Sequence, residues 1–561
     1  MKRKALLGDE AVAVAALHAG ISAAYGYPGT PSTEILEYLI DEYEKRGGPR
    51  AAWCANEKTA VEAGLGASFA GRRSIVTMKH VGLNVAADPF INGALLGIKG
   101  GLVIVVADDP GMHSSQNEQD SRFYAAFAMI PCLEPRSQQE AYDFTWEAFD
   151  LSERFHTPIL LRLVTRLSHA RAEIFFEKTA VGKSKNEAVR AQNPLSKAEN
   201  KAEWMLLPAF ARKNYANLIG KQKDLLECSN SRAAIHVGND VSLAVITAGL
   251  GGNYYEENLA DFAESRGGKI PIRLHISTYP LPVEKIRTLC EKAERVLVIE
   301  EGQPFIEEKL RGLLPQKPVV FGKLRALDDA PALPRTGELD PDNVRAALEL
   351  ASRPSMSLNI NASQDLLARI PARPPQLCQG CPHGDSYETI KRAVTGLDSV
   401  AVTSDIGCYS LGASPPYSTP ETIVCMGASV GMARGAADAG LKHVVAVIGD
   451  STFLHSGMTG LLDAVAADTP MTLVILDNSI VAMTGCQETI VPSEKLRALL
   501  LGLGVPMEHL LELEAKRQLL EENAAKLHAE IKYQGLSVVV FKRPCLEALR
   551  KWRKKGMEDR K

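Results

Sequence analysis

The sequence predicts an α/β protein built from three units, the first with a parallel sheet covered by helices, and three observations lead there. The chain has 561 residues, and at about 100 to 200 residues per domain it holds more than one hydrophobic core. Apolar helix-like runs alternate with short β-branched strands, the pattern of strands that pair in parallel beneath covering helices. The runs richest in chemistry-bearing residues directly follow strands, where open α/β sheets bind ligands.

The first unit is expected over residues 1–180. A helix-like run from Asp9 to His18 is followed by Gly20 and a strand from Ser22 to Tyr27. The stretch Gly26-Tyr27-Pro28-Gly29-Thr30-Pro31-Ser32 then closes the strand and opens a helix, with Thr30 as the expected N-cap and Pro31 at the first helical position. A second strand-like run, Ala51 to Cys54, precedes Asn56-Glu57-Lys58. Residues 181–240 are rich in Lys, Glu, Asn and Arg without an apolar period and read as a charged, partly helical connector. A second unit, 241–325, carries strands near Leu243 to Ala248 and Arg295 to Ile299. The third, 355–545, carries strands at Val444 to Ile448, Thr472 to Leu476 and Ser537 to Phe541, and residues 546–561 form a basic tail.

Hydrophobic residues at 45%, charged residues at 23% and a formal net charge of −3 provide no global field for nucleic acid or a membrane surface. Met1-Lys2-Arg3-Lys4 could start a signal peptide, but Asp9 and Glu10 interrupt the apolar run that would have to follow. No stretch reaches the roughly 18 apolar residues needed to cross a bilayer. The expectation is a cytoplasmic protein with no membrane span. Its ten cysteines are too sparse for a disulfide scaffold, so their clustering matters more than their number.

The sharpest local signal is Gly449-Asp450-Ser451 at the end of one strand, with Asp477-Asn478 at the end of another. A hard cation such as Mg²⁺ takes oxygen ligands and is completed by phosphate, so an Asp and an Asn on neighbouring strand ends suit a diphosphate. Gly449 would allow close backbone approach. Alone, an aspartate ending a strand reads equally as a turn former or helix cap. The 28-residue separation of Asp450 and Asn478 matches the thiamine diphosphate motif, Gly-Asp-Gly followed by Asn-Asn, with Ser451 and Asp477 as departures. In that motif the metal is held by the Asp and Asn side chains and a main-chain carbonyl two residues on, here Ile480. Thiamine chemistry also needs a glutamate bonded to the aminopyrimidine ring. Glu57 is the candidate, against the alternative of a solvated residue at a helix start.

Several long strings resemble the large subunit of the indolepyruvate ferredoxin oxidoreductases, members of the 2-oxoacid:ferredoxin oxidoreductases. They include Tyr27-Pro28-Gly29-Thr30-Pro31-Ser32-Thr33-Glu34, Asn56-Glu57-Lys58, the run from Thr77 through Lys79-His80-Val81-Gly82 to Asp88, and Ala107-Asp108-Asp109-Pro110-Gly111-Met112-His113 with Glu118-Gln119-Asp120. Tyr279-Pro280-Leu281-Pro282 and Val298-Ile299-Glu300-Glu301 follow in the middle unit. Cys378-Gln379-Gly380-Cys381-Pro382-His383, Asp405-Ile406-Gly407-Cys408 and Met426-Gly427-Ala428-Ser429 follow in the third. The resemblance implies a three-domain thiamine diphosphate-dependent fold of pyrimidine-binding, transketolase C-terminal-like and diphosphate-binding domains, with the cofactor where the first and third meet.

The resemblance carries Mg²⁺ to Asp450, Asn478 and the Ile480 carbonyl, and the aminopyrimidine contact to Glu57. It puts Thr30 on the loop that approaches substrate, and Cys408, Met426, Gly427, Gly449 and Ser451 at the cofactor. It implies oxidative decarboxylation of an arylpyruvate with coenzyme A, electrons passing to ferredoxin or a small iron-sulfur subunit, and a smaller partner subunit, as a homodimer of this chain or a heterotetramer. The family usually continues into a ferredoxin-like domain with two Cys-x-x-Cys-x-x-Cys runs. These 561 residues hold no such run, which leaves the electron exit open.

Cys378, Cys381, Cys408 and Cys545 group as the four thiolates that a [4Fe-4S] cluster requires. Their disposition resembles the single cluster beside the cofactor in simpler members of the family. A zinc site from Cys378, Cys381 and His383 with one further ligand, or unliganded thiols, are the alternatives. Two rival functions also stay open: a non-oxidative thiamine diphosphate-dependent 2-oxoacid decarboxylase, and a non-catalytic subunit that keeps the fold.

Overall fold

The computed structural model describes residues 2–176, 204–313, 319–324, 332–334, 336–353 and 376–554. They form two compact units, Met1–Asn359 and Ile360–Lys561. Residues 177–203 of the expected first unit and connector, the start of the third unit up to residue 375, and tail residues 555–561 lie outside the described residues.

The first unit contains a seven-stranded sheet in the spatial order Thr278–Tyr279, Cys132–Leu133, Ile159–Val164, Leu102–Asp108, Ser74–Lys79, Ala23–Gly26, Arg50–Trp53. Every pairing is parallel except that of the Thr278–Tyr279 edge. Leu102–Asp108 and Ile159–Val164 are buried throughout, so they read as continuous apolar runs rather than alternating ones. Ala23–Gly26 pairs with Arg50–Trp53 on one side and Ser74–Lys79 on the other. The strand order therefore reverses there. The loops leaving Gly26 and Lys79 border the crevice at the carboxyl ends of the strands where such sheets take ligands.

A five-stranded sheet lies in the same unit, in the order Val319–Phe321, Arg295–Ile299, Asp240–Ala248, Pro271–Ile276, Ile235–His236. The two sheets share their core, for Val103 and Phe149 cluster with Val245 and Leu297. The expected connector is, over Pro208–Arg232, a helix of 25 residues. Its Gln222 donates to the Met129 carbonyl at 2.9 Å, and its Arg232 reaches Glu147 at 2.7 Å and Thr278 at 3.0 Å. Only Leu218 and Leu225 are large apolar residues on its buried side, beside Asn214, Ser229 and Asn230. That is why no apolar period marks it in the sequence. The second sheet also starts earlier than residue 241, taking in Ile235–His236 and Asp240.

Between the sheets sits a buried ion network. Arg122 Nη1 lies 2.9 Å from Glu300, and its Nη2 donates to the Glu301 carbonyl at 2.9 Å. Arg162 pairs with Asp108 at 2.7 Å and with Glu134, whose second oxygen accepts from the Tyr279 hydroxyl at 2.6 Å. Burial pushes Glu300 and Glu301 up to about 7. A carboxyl whose folded value is raised binds more protons in the native than in the unfolded state between about pH 4.5 and 7, so its contribution is complete below that window and lost as pH rises through it. Glu301→Gln, which mimics the protonated form, is therefore expected to gain stability relative to the parent between pH 5 and pH 8. The gain is at most about 3 kcal/mol, the linkage value of such a shift. Urea unfolding at the two pH values measures it, and an unchanged difference would refute the assignment.

The second unit is built on a six-stranded, all-parallel sheet in the order Thr422–Ile423, Val400–Ser404, His443–Gly449, Thr472–Asp477, Ser537–Lys542, Leu510–Glu514. Its strand order reverses between Val400–Ser404 and His443–Gly449, which puts the loops after Ser404 and Gly449 at the ligand-binding crevice of this sheet. Leu546–Lys554, within the expected basic tail, forms a helix whose Ala548 is fully buried.

Candidate active site

In the first unit the loop after Ala23–Gly26 places Thr30. The helix it feeds is Thr33–Arg46 with Ser32 at the cap, so the expected N-cap at Thr30 and helix start at Pro31 are corrected by two residues. The reason lies in the hydroxyls. Ser32 Oγ donates to the Gly29 carbonyl at 2.8 Å and Thr33 Oγ1 accepts from the Gly29 N–H at 3.0 Å. This closes the loop on itself and leaves Thr30 half-buried ahead of the helix. The Thr30 carbonyl accepts from Ser114 Oγ at 3.3 Å. Ser114 is itself held by its N–H to Asp109 at 2.8 Å and by Lys79 Nζ on its carbonyl at 2.6 Å. Burial pushes the Lys79 amine down to about 8, against the opposing charge of Asp109.

Glu57 opens the helix Glu57–Phe69, whose cap is Asn56, accepting from the Thr59 N–H at 3.0 Å. Unlike a solvated helix-start residue, Glu57 is only 5% exposed. Its carboxylate packs on Gly82, in the helix that follows Ser74–Lys79, where an added Cβ would stand 2.4 Å from Glu57 Oε1. Gly82 therefore makes room for this carboxylate.

In the second unit Asp450, Asp477 and Asn478 come together as expected, and all three are buried. Asp450 accepts from the Ser451 N–H at 2.8 Å through Oδ1 and from the Ser479 N–H at 2.9 Å through Oδ2. Asn478 Oδ1 accepts from the Ile480 N–H at 3.1 Å, and its amide nitrogen lies 3.1 Å from His383 Nε2. Burial first, and the Asp477 carboxylate second, hold Asp450 well above the usual carboxylate range. Two buried carboxylates this close favour a cation. The Ser451 hydroxyl is buried with no hydrogen-bond partner. A donor left over beside an acidic strand end fits a diphosphate carried by a metal.

Gly449 also answers to a packing requirement that the sequence does not show. Its φ of −80° is ordinary, and an added Cβ would meet the Tyr409 ring at 2.5 Å. Tyr409 bonds Asp405, which accepts from Ser429 Oγ at 2.6 Å and its N–H at 3.2 Å, fixing the start of the helix Ala428–Asp438. Gly427 caps that helix at φ 85°, with Ser456 Cβ 2.6 Å from where its own Cβ would stand, so only glycine fits. Met426 beside it is half-buried. Helix starts of this kind suit phosphate groups.

The four grouped cysteines line one cavity of about 90 Å³, together with His383, Leu546 and the metal-ligand candidate Asn478. Cys378 and Cys381 sit on a turn closed by the Cys381 N–H to the Cys378 carbonyl at 3.0 Å, and Cys381 caps the helix Pro382–Val394. Cys545 N–H donates to the Asn478 carbonyl at 3.2 Å. Burial, and then the neighbouring Cys381, Cys545 and Cys378, push the Cys408 thiol up to about 12, while burial pushes Cys381 up to about 11. Thiols that resist ionisation alone but surround one space suit a cationic iron group shared among them.

Gly82, Asp405 and Tyr409 are not among the site residues the sequence singles out, and His383 enters there only as a zinc ligand. The strings Lys79-His80-Val81-Gly82, Cys381-Pro382-His383 and Asp405-Ile406-Gly407-Cys408 contain or adjoin them, but their roles arise from contacts between distant segments.

Residues 14–217 match the family described as pyruvate flavodoxin/ferredoxin oxidoreductase, thiamine diP-bdg, and residues 405–500 match the thiamine pyrophosphate enzyme, C-terminal TPP binding domain. The indolepyruvate oxidoreductase subunit IorA of Archaeoglobus fulgidus is 37% identical over 96% of this chain and 86% of its own length. The IorA subunit of Thermococcus kodakarensis is 33% identical over 99% of this chain and 88% of its own. Among solved structures, a 2-oxoglutarate:ferredoxin oxidoreductase from Magnetococcus marinus, with 2-oxoglutarate, coenzyme A and succinyl-CoA bound, superposes with a TM-score of 0.50 at 16% identity. It covers 62% of this chain and 65% of that one, a likeness of fold.

Proposed function

Because the chain belongs to the family of indolepyruvate oxidoreductase IorA subunits, we propose that it oxidatively decarboxylates an arylpyruvate to the acyl-CoA and passes two electrons to ferredoxin. It acts as the large, thiamine diphosphate-binding subunit of a cytoplasmic 2-oxoacid:ferredoxin oxidoreductase that also contains a smaller subunit, as a homodimer of this chain or a heterotetramer. Among the described residues no helix is long and apolar enough to cross a membrane.

Thiamine diphosphate, when bound, would supply a carbon nucleophile and an electron sink for decarboxylation of a 2-oxoacid. Asp450, Asn478 and the Ile480 carbonyl would hold Mg²⁺ on the diphosphate, with the Ser451 hydroxyl donating to a phosphate oxygen and Gly449, Met426 and Gly427 bordering it. Glu57, seated on Gly82, would hold a proton at the aminopyrimidine nitrogen. Thr30 would meet the substrate. Cys378, Cys381, Cys408 and Cys545 would hold one [4Fe-4S] cluster, which supplies one-electron steps.

The observation that carries the oxidative reading is the cavity itself, because the four cysteines share it with Asn478 and Cys545 is bonded to the Asn478 backbone. A thiolate cage built onto the metal-ligand strand end serves electron removal and has no use in simple decarboxylation. The test is anaerobic incubation of the protein and its partner subunit with indolepyruvate, phenylpyruvate or hydroxyphenylpyruvate, coenzyme A and oxidised ferredoxin. Acyl-CoA and reduced ferredoxin in a 1:2 ratio are expected. Free aldehyde with ferredoxin left oxidised would replace this reading with the decarboxylase.

A further inference from the structure

A separate set of ligand-type side chains lies in the first unit. Asp9, Glu34 and His169 each offer one carboxylate or ring atom within 4.8 Å of the others. A short antiparallel ribbon brings two of them together, for Lys2–Leu7 pairs with Arg171–Phe176 so that Leu7 faces Arg171. Asp9 stands two residues after that pair on one side and His169 two residues before it on the other. The helix Thr33–Arg46 adds Glu34 from its first turn.

Asp9 is 0% exposed, and neither of its oxygens has a hydrogen-bond partner. Capping of its helix falls to the next residue, Glu10, which accepts from the Leu7 N–H at 2.9 Å, so Asp9 is free of that duty. The inner oxygen of Glu34 is likewise buried without a partner, and its other oxygen lies 3.6 Å from His169 Nε2. The buried Ser168 hydroxyl faces Asp9. A carboxylate sealed from water with neither oxygen bonded is among the costliest groups in an interior unless a cation or a proton joins it.

We propose that Asp9, Glu34 and His169 bind one divalent first-row transition ion, with water completing its shell. Two carboxylates offset the charge of such an ion, and one ring nitrogen with two oxygens suits Mn²⁺, Fe²⁺ or Zn²⁺ better than the all-oxygen preference of Mg²⁺ or Ca²⁺. The Glu34 and His169 side chains are 37% and 35% exposed, which provides an entry path and leaves them free to close on the ion. The ion ties the first helix and the segment after Ile159–Val164 to the helix leaving the Thr30 loop. It thereby pins the downstream end of that loop.

The test is Mn²⁺ titration, read as free ion by electron paramagnetic resonance, on protein saturated with Mg²⁺ and thiamine diphosphate so that the Asp450 site is occupied. The parent is expected to take up one Mn²⁺ per chain that Asp9→Asn and His169→Ala bind at least about tenfold more weakly. Mn²⁺ should raise the unfolding temperature of the parent and not of the variants. In chelator Asp9→Asn should melt no lower than the parent, since it removes the unpaired charge, so a lost ion is not mistaken for a lost fold. His169→Ala, half-exposed, gives a second reading that does not depend on the core. No uptake by the parent, or equal uptake by the parent and both variants, overturns the proposal and leaves Asp9 as a protonated core carboxyl.

Discussion

Replacing Glu57 by Gln is expected to lower turnover at least about 10²-fold, the lower end of what acid-base assistance contributes, while the fold and the metal site stay intact. The physical case is the burial of this carboxylate at the start of the helix Glu57–Phe69, against a glycine that leaves it just enough space. Gln keeps the volume and a hydrogen-bonding head but holds no exchangeable acid proton. Gly82→Ala should act through Glu57, because the added methyl would stand 2.4 Å from its carboxylate oxygen. It should therefore lower turnover in the parent but cost little more in the Glu57→Gln background. Steady-state ferredoxin reduction with circular dichroism as a fold control measures both, and near-parental turnover of Glu57→Gln would remove Glu57 from the catalytic assignment.

Asp450→Ala is expected to weaken Mg²⁺-dependent binding of thiamine diphosphate by more than about 100-fold. Losing only an outer-shell partner of a metal ligand costs about 10- to 100-fold, and Asp450 is proposed as a direct ligand. The substitution also frees the Ser451 and Ser479 N–H groups that Asp450 now accepts from, so some local loosening accompanies it. Asp477→Asn is the discriminating companion. It restores the Asn-Asn pair of the motif and removes the charge that faces Asp450, so it should leave a usable site with weaker attraction for the cation. Calorimetric titration of the cofactor in the presence of Mg²⁺ reads both, and unchanged affinity in Asp450→Ala would refute the metal assignment.

Much of this protein was determined by the sequence alone. Its apolar helices alternating with short strands identify parallel pairing, and strands such as Thr472–Asp477 prove buried on both faces, as parallel sheets require. A fixed separation singles out Asp450 and Asn478 in the sequence, and the fold buries both directly after strands of one sheet. Local patterns of this kind are set by a few consecutive residues. Tertiary structure decided the rest. It made one compact unit of the two sheets up to Phe321, because buried pairs such as Arg122 with Glu300 join residues far apart in the chain. It turned a charged stretch into the packed helix Pro208–Arg232, whose buried side has too few apolar residues to show a period. It moved the helix start from Pro31 to Thr33, gave Gly449 to Tyr409 and gave Gly82 to Glu57. It also brought Cys378, Cys381, Cys408 and Cys545 to a single cavity and Asp9 to His169. Each of these depends on which distant segment supplies the neighbouring atoms, a fact that spacing along one chain does not contain.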